Sequence, residues 1–240
     1  MLADTIEQLR AVALAADDGS GHFPAMYARV TQRIDRDAAV GKFADGEGAI
    51  RFARAFAEWY LRPRGGVEPI PDAWRAAWDV AGDRRLLIVQ HLLLGINAHV
   101  NHDLPQVVVE LADERGDLAG MRADFDQVNA VLAATLPDVI RDLGRASRWV
   151  NVVAARGGGR VFHFSLERAR AQAWLAAERL HPLDGAARAH EAGEIDRLVC
   201  VLAYLVAHPA RPVRWLTRVG RVLESDDPRA VTRMLLGDLV

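Results

Sequence analysis

Residues 91–105 read HLLLGINAHVNHDLP, and this stretch decides how the chain is organised. It continues the longest apolar run, Leu86 to Ile96, which is interrupted only by Gln90, His91 and Gly95. The spacing predicts a helix over 85–102 that is buried on most of its circumference. Three of the chain's eight histidines lie in it, with two asparagines and an aspartate. Such groups are expensive in an apolar setting unless they are bonded. At about 100° per residue, His91, Gly95, His99, His102 and Asp103 fall within roughly 120° of one another. Asn97 and Asn101 fall nearly opposite. One face therefore presents imidazoles and a carboxylate, with Gly95 leaving space beside them. Pro105 predicts a boundary at 101–104, because its ring clashes with the carbonyl four residues earlier.

Outward from this segment the pattern stays helical. Ala, Leu and Arg dominate, and apolar residues recur three and four apart. Helices are expected over about 3–16, 24–37 (with Tyr27 inward) and 50–61. RPRGGVEPIP (62–71) reads as a linker, and Pro71 opens a short helix carrying Trp74 and Trp78. Further helices are expected to about 114 and over 117–143, the latter as one helix or as two divided near Pro137. The rest should cover 147–155, 165–180 capped by Ser165, 193–207, 213–223 and 228–237. VNVV and RVFHF are the only β-like runs, and both are short. The expected fold is all-α, a compact multi-helix bundle with helix 85–102 at its centre. One domain over 1–240 is expected, with a C-terminal helical lobe from about 186 left open.

Composition narrows the chemistry. The chain has 240 residues, 51% hydrophobic and 26% charged, with a net charge of -2. That balance argues against a broadly basic nucleic-acid surface and against a polybasic membrane anchor. The N-terminus lacks a basic start followed by an apolar run, and no apolar run is long enough to span a bilayer, so a cytoplasmic protein is expected. Cys200 is the single cysteine, which removes disulfides, cysteine zinc fingers and iron–sulfur clusters; in LVCVLAYLV it reads as a core residue. Lys42 is the single lysine, in a polar stretch. No G-x-S-x-G elbow is present, and GGG at 157–159 lacks the Lys-Ser/Thr of a phosphate loop, so no nucleotide cofactor is indicated. The arginine-rich segment 210–221 reads as amphipathic, with Val213, Leu216, Val219 and Val222 inward and a solvated cationic face.

Histidine and carboxylate remain. His99 and Asp103, four apart on a helix, can share a substrate proton or a divalent metal ion. A closed metal site would need another ligand, from among His22, His163, Asp124 and Asp126. His102 joins His99 and Asp103 as a catalytic candidate, since imidazole titrates near neutral pH. A plainer reading stands beside this one. Asp103 would cap a helix starting at Leu104, with Gln106 completing a capping box, and the histidines would bond backbone carbonyls.

GINAHVNHDLP resembles the signature of a bacterial helical family of unknown function, a segment close to G-[MI]-N-A-H-[IV]-N-x-D-L. MYARVT (26–31), GKFAD (41–45), DFDQVNAVL (124–132) and RARAQAW (168–174) resemble its flanking motifs, with Ala44 a small departure. The similarity spans roughly 20–180. It implies an all-helical fold and no settled reaction. The polar positions that match are Asn97, His99, Asn101, Asp103, Asn129 and Arg170. Arg170 suits a bidentate clamp on a carboxylate or phosphate, or else a buried salt bridge to Asp103 or Asp126.

The expected function is a small-molecule enzyme. His99, Asp103 and His102 would carry hydrolysis or proton-transfer chemistry such as cyclisation or elimination. Asn97, Asn101, Asn129, Arg170 and Tyr27 would hold the substrate. The alternative is a non-catalytic helical ligand-binding or scaffold protein whose polar cluster is structural. The expected partner is a small molecule, with no nucleic acid and no membrane; a homodimer is left open.

Overall fold

The structure, a computed structural model, describes the backbone of residues 1–67, 69–155 and 158–239. It describes their side chains except those of 124, 132, 133, 136, 152–154, 158–165, 212 and 238. Among the described residues the chain is all-α, with twelve α-helices and no strand. They are α1 (Ala3–Ala15), α2 (His22–Ala39), α3 (Gly46–Arg64), α4 (Asp72–Trp78), α5 (Ile88–Asn97), α6 (Leu104–Arg115), α7 (Met121–Ala146), α8 (Arg148–Ala155), α9 (Gly158–Leu180), α10 (Gly185–Ala207), α11 (Arg211–Arg221) and α12 (Pro228–Leu236). No helix among the described residues is long and apolar enough to cross a membrane.

The segment that opened the sequence reading lies at the middle. α5 runs into a π-helical turn, Ala98–Asp103, which runs directly into α6. This path packs against α2, α3, α4, α9 and α10. Leu92, Leu94, Leu104 and Val107 on it are at most 2% exposed. Each fully buried leucine contributes about 1.5–3 kcal/mol. The boundary expected before Pro105 takes an unexpected form. The chain does not leave the helix; it widens the turn, and Pro105 then sits in the first turn of α6. Proline lacks an N–H and crowds the carbonyl four residues back. Adding a residue to the turn relieves that crowding without a loop.

Other expectations are corrected by packing. Of the two readings left open for 117–143, the single helix holds: α7 runs unbroken through Pro137 and packs against α2, α3, α9 and α12. Ser165 lies inside α9, which starts at Gly158, so it does not cap that helix. Arg62, Pro63 and Arg64 of the supposed linker complete α3. VNVV falls in α8 and the backbone of RVFHF in α9, both helical. Local β-preference is weak and gives way to tertiary packing.

Beyond residue 186, α10 packs on α4, α5 and the π turn, and α12 packs on α2 and α7. Val231 and Leu235 share the buried core with Leu9 and Phe52. α11 departs from the expected pattern. Val213, Leu216 and Val219 are 42–48% exposed and Val222 is 84% exposed, so they do not face inward. α11 meets α8, where Gly220 lets the Trp149 ring approach within 2.8 Å of the position a Cβ would take. On α10 the buried stripe is Ile195, Val199 and Ala203, which leaves Leu198, Val201, Leu202 and Leu205 outward and Cys200 only partly buried.

Candidate active site

Asp103 is wholly buried at the end of the π turn. Its backbone is helical (φ -73°, ψ -41°), and its side chain makes no cap bond to α6. The capping-box reading is therefore overturned. A capping residue needs an extended backbone to turn its side chain back to the first N–H groups. The carboxylate instead accepts three N–H donors. Trp74 Nε1 reaches both oxygens (3.0 and 3.2 Å), His99 Nδ1 reaches Oδ2 (2.9 Å) and His102 Nδ1 reaches Oδ1 (2.8 Å). A buried carboxylate is tolerable only with such saturation.

His99 is held on its faces as well as by its Nδ1. Its ring stacks on Phe56, with centroids 3.6 Å apart and planes 5° apart. Tyr27 lies edge-on at 4.5 Å, and Phe23 at 5.4 Å. Phe23 comes this close because Gly95 carries no side chain: a Cβ there would stand 2.5 Å from the Phe23 ring. The space that Gly95 leaves is thus filled by an aromatic wall. Burial pulls the His99 pKa down, and the Arg170 charge adds to it; together they outweigh the Asp103 carboxylate, which favours the imidazolium. The ring is neutral near pH 7, with its proton on Nδ1 toward Asp103. Nε2 carries a lone pair, is buried and has no partner.

His99 also lines a pocket of about 60 Å³ between α2, α3, the π turn, α7 and α9. Its walls are Phe23, Met26, Val30, Phe56, Ile96 and Val139; Tyr27, His99, Thr135 and Arg170 are its polar members. Arg170 is 3% exposed, and Nε, Nη1 and Nη2 all lack a hydrogen-bond partner among the described residues. The guanidinium lies 5.6 Å from the Phe125 ring centroid. Burial lowers its pKa to about 9, which leaves it cationic at neutral pH. The Tyr27 hydroxyl is also buried without a partner, and burial raises its pKa well above the usual value. The expected alternative, a salt bridge from Arg170 to Asp103 or Asp126, is not formed. Asp126 pairs with Arg122, and Asp103 is saturated as described.

The remaining sequence candidates are placed elsewhere. His102 lies across the carboxylate from His99, with Nε2 3.9 Å from Asp196. Burial pulls its pKa down, but the bond and charge of Asp103 and the charge of Asp196 outweigh it and raise the value. Asn97 donates to the Val199 carbonyl and Asn101 donates to Asn97, so both tie α10 to the centre and neither lines the pocket. Asn129, on α7, does not line it either. His91 is parted from His99 and packs edge-on to His22, 5.9 Å between centroids. The side chains of Asp124 and His163, and residue 157 of the GGG segment, lie outside the described set, and Gly158 opens α9.

Three contributors escaped the sequence reading. Trp74 and Phe56 carry no signal in their local sequence, since nothing local marks a tryptophan as a carboxylate donor or a phenylalanine as the ring that stacks on a histidine. Asp196 accepts the backbone N–H groups of Asp72 and Ala73, securing the start of α4 and so the position of Trp74. The arrangement does not suit the expected metal ion. Asp103 lies on the Nδ1 side of His99, away from Nε2, and Nε2 shares its pocket with a cation. No three His, Cys, Asp or Glu groups among the described residues could hold one.

A family model, "Family of unknown function (DUF5995)", matches residues 2–209. The chain belongs to this family. No curated protein and no solved structure matches.

Proposed function

We propose that this member of DUF5995 binds a small carboxylate-bearing molecule in the His99 pocket and moves a proton on it. One observation carries the reading. Three buried residues that line one apolar pocket carry polar groups with no hydrogen-bond partner among the described residues: the Arg170 cation, the Tyr27 hydroxyl and the His99 Nε2 lone pair. A buried, unpaired guanidinium is among the costlier things a fold can hold. A ligand carboxylate supplies its missing partner, bidentately. A carbon one or two bonds from that carboxylate, made acidic by a carbonyl group, then lies within reach of Nε2, a neutral base oriented by Asp103. Tyr27 is placed to donate to the oxygen on which charge develops. Proton abstraction beside a carboxyl or carbonyl group opens elimination, isomerisation and cyclisation. Water is largely excluded by the aromatic walls, which favours these over hydrolysis.

The test uses short monocarboxylates from propionate to benzoate. Calorimetry should show binding that is lost in Arg170→Met. In D2O, a bound keto acid such as 2-oxobutyrate should exchange its C3 protons, and His99→Gln should stop the exchange while binding persists. A second reading rests on the complete internal bonding of Asp103: a ligand-binding protein without turnover. Binding without any exchange would favour that one.

A further inference from the structure

A second hollow of about 370 Å³ opens between α2 and α7, closed at one end by α12. Arg29, Arg33 and Arg36 line it from α2, and Arg141 and Arg145 from α7. Thr135 belongs to both this cleft and the His99 pocket. The two hollows are therefore neighbours on one helix–helix seam, with a single side chain common to their walls. Helical periodicity explains the pairing: Met26 and Val30 face the inner pocket, while Arg29 and Arg33 are turned to the outer one.

The outer cleft is rich in unspent positive charge. Asp142 pairs with Arg29 and, at 3.2 Å, with Arg145; Asp138 pairs with Arg141. Asp37 is shared between Arg33 (2.9 Å) and Lys42 (2.8 Å). Among the described side chains, the five cleft arginines and the nearby Lys42 meet three carboxylates, Asp37, Asp138 and Asp142, and no ion pair is formed by Arg36. Arg141 and Arg145 are at least 60% exposed, so their ion pairs are weak and readily exchanged. Guanidinium forks match phosphate oxygens bidentately, and a phosphate, with three acceptor oxygens and up to two charges, can engage forks from both helices at once.

We propose that the arginine cleft is the outer half of the ligand site and takes a phosphate group. The ligand is then a phosphorylated carboxylic acid, with its carboxylate on Arg170, its carbon body along Thr135 and its phosphate among Arg33, Arg36 and Arg141. This extension rests on the carboxylate reading of the inner pocket, and its test separates the two.

Calorimetry would use three probes: butyrate for the inner half, inorganic phosphate for the outer, and ω-phosphonocarboxylates of increasing chain length for both. One chain length should bind about 100-fold tighter than butyrate, as linked sites do. The double variant Arg36→Gln/Arg141→Gln, altered on exposed side chains, should weaken phosphate and the linked probe about tenfold or more while butyrate is unchanged. Arg170→Met should abolish butyrate binding and leave phosphate unchanged. If phosphate binding ignores the double variant, or no linked probe exceeds butyrate, the outer half is refuted and the inner reading stands. If phosphate binds through Arg36 and Arg141 while butyrate does not bind at all, the inner reading fails and the single site with it.

Discussion

Nδ1 of His99 and Oδ2 of Asp103 lie 2.9 Å apart, four residues apart along a π turn, and both side chains are at most 4% exposed. The bond fixes which nitrogen of His99 holds the proton, and so which one is free to act. The consequence is open to a nearly isosteric change. Asp103→Asn removes the charge and offers an amide N–H to groups that are themselves donors. Chemical denaturation should show a loss of about 3–5 kcal/mol, the usual result of breaking a buried charged network. Deuterium exchange should fall by about 10³–10⁴-fold, the scale seen when a catalytic imidazole loses its orienting carboxylate. Carboxylate binding, which rests on Arg170, should persist. Unchanged exchange would mean that His99 does not act through this bond.

Arg170→Met separates a structural arginine from a ligand-binding one by sign. Removing an arginine that bonds the fold destabilises it. Removing a buried cation with no partner, and filling the space with an apolar chain, should stabilise the ligand-free protein by about 1–4 kcal/mol. Urea unfolding of the two proteins without ligand decides it. A loss of stability would assign Arg170 to the scaffold.

Stability should fall in acid through His22. Burial first, then the charge of His91, lowers its pKa to about 3, with Asp18 opposing. The unfolded chain takes up this proton near pH 6.5 and the folded one does not. The His22 contribution is therefore complete above about pH 6.5 and declines as the pH falls toward 3. At pH 4.5 the decline should be about 2–3 kcal/mol. His91, lowered mainly by burial, adds in the same direction. His102 runs the other way: its value is raised, so its contribution is complete below about pH 6.5 and fades as the pH rises through the folded value. Denaturation from pH 7 to 4 should show net loss, and His22→Gln should remove about one proton from the slope.

Gly95→Ala sets two effects against each other. Alanine in a helix interior normally gains about 1 kcal/mol over glycine. Here the new methyl would stand 2.5 Å from the Phe23 ring, and overpacking of that kind costs about 1–3 kcal/mol. The melting temperature should fall. Butyrate binding should weaken with it, since Phe23 is a pocket wall.

The all-α architecture was legible because its signal is repeated along the whole chain, and the central helix because no other segment is as apolar. His99, Asp103 and Arg170 stood out for a related reason: polar groups on an apolar helix, or at positions matching a family pattern, are visible in one dimension. Their partners were not. Trp74 reaches Asp103 across 29 residues and Asp196 secures α4 across 124, distances at which spacing carries no information. A wheel at constant pitch joined His91 to His99; the packing at α2 instead gives His91 to His22 and Phe23 to Gly95. The exposure of α11 was misread because amphipathic spacing tells which residues share a face, not whether anything covers it.

The widened turn at Ala98–Asp103 also bears on how this site could be gained or lost over time. It amounts to one residue inserted into an otherwise continuous helical path. Deleting a single codon between 98 and 103 would let the turn close to ordinary α-helical pitch. The wide turn absorbs the extra residue, so α5 and α6 would keep their facing. His99 and Asp103, left three apart if the loss falls between them, would no longer have the spacing that their hydrogen bond uses. Point substitution can tune this site gradually, whereas a change of length there abolishes it in one step.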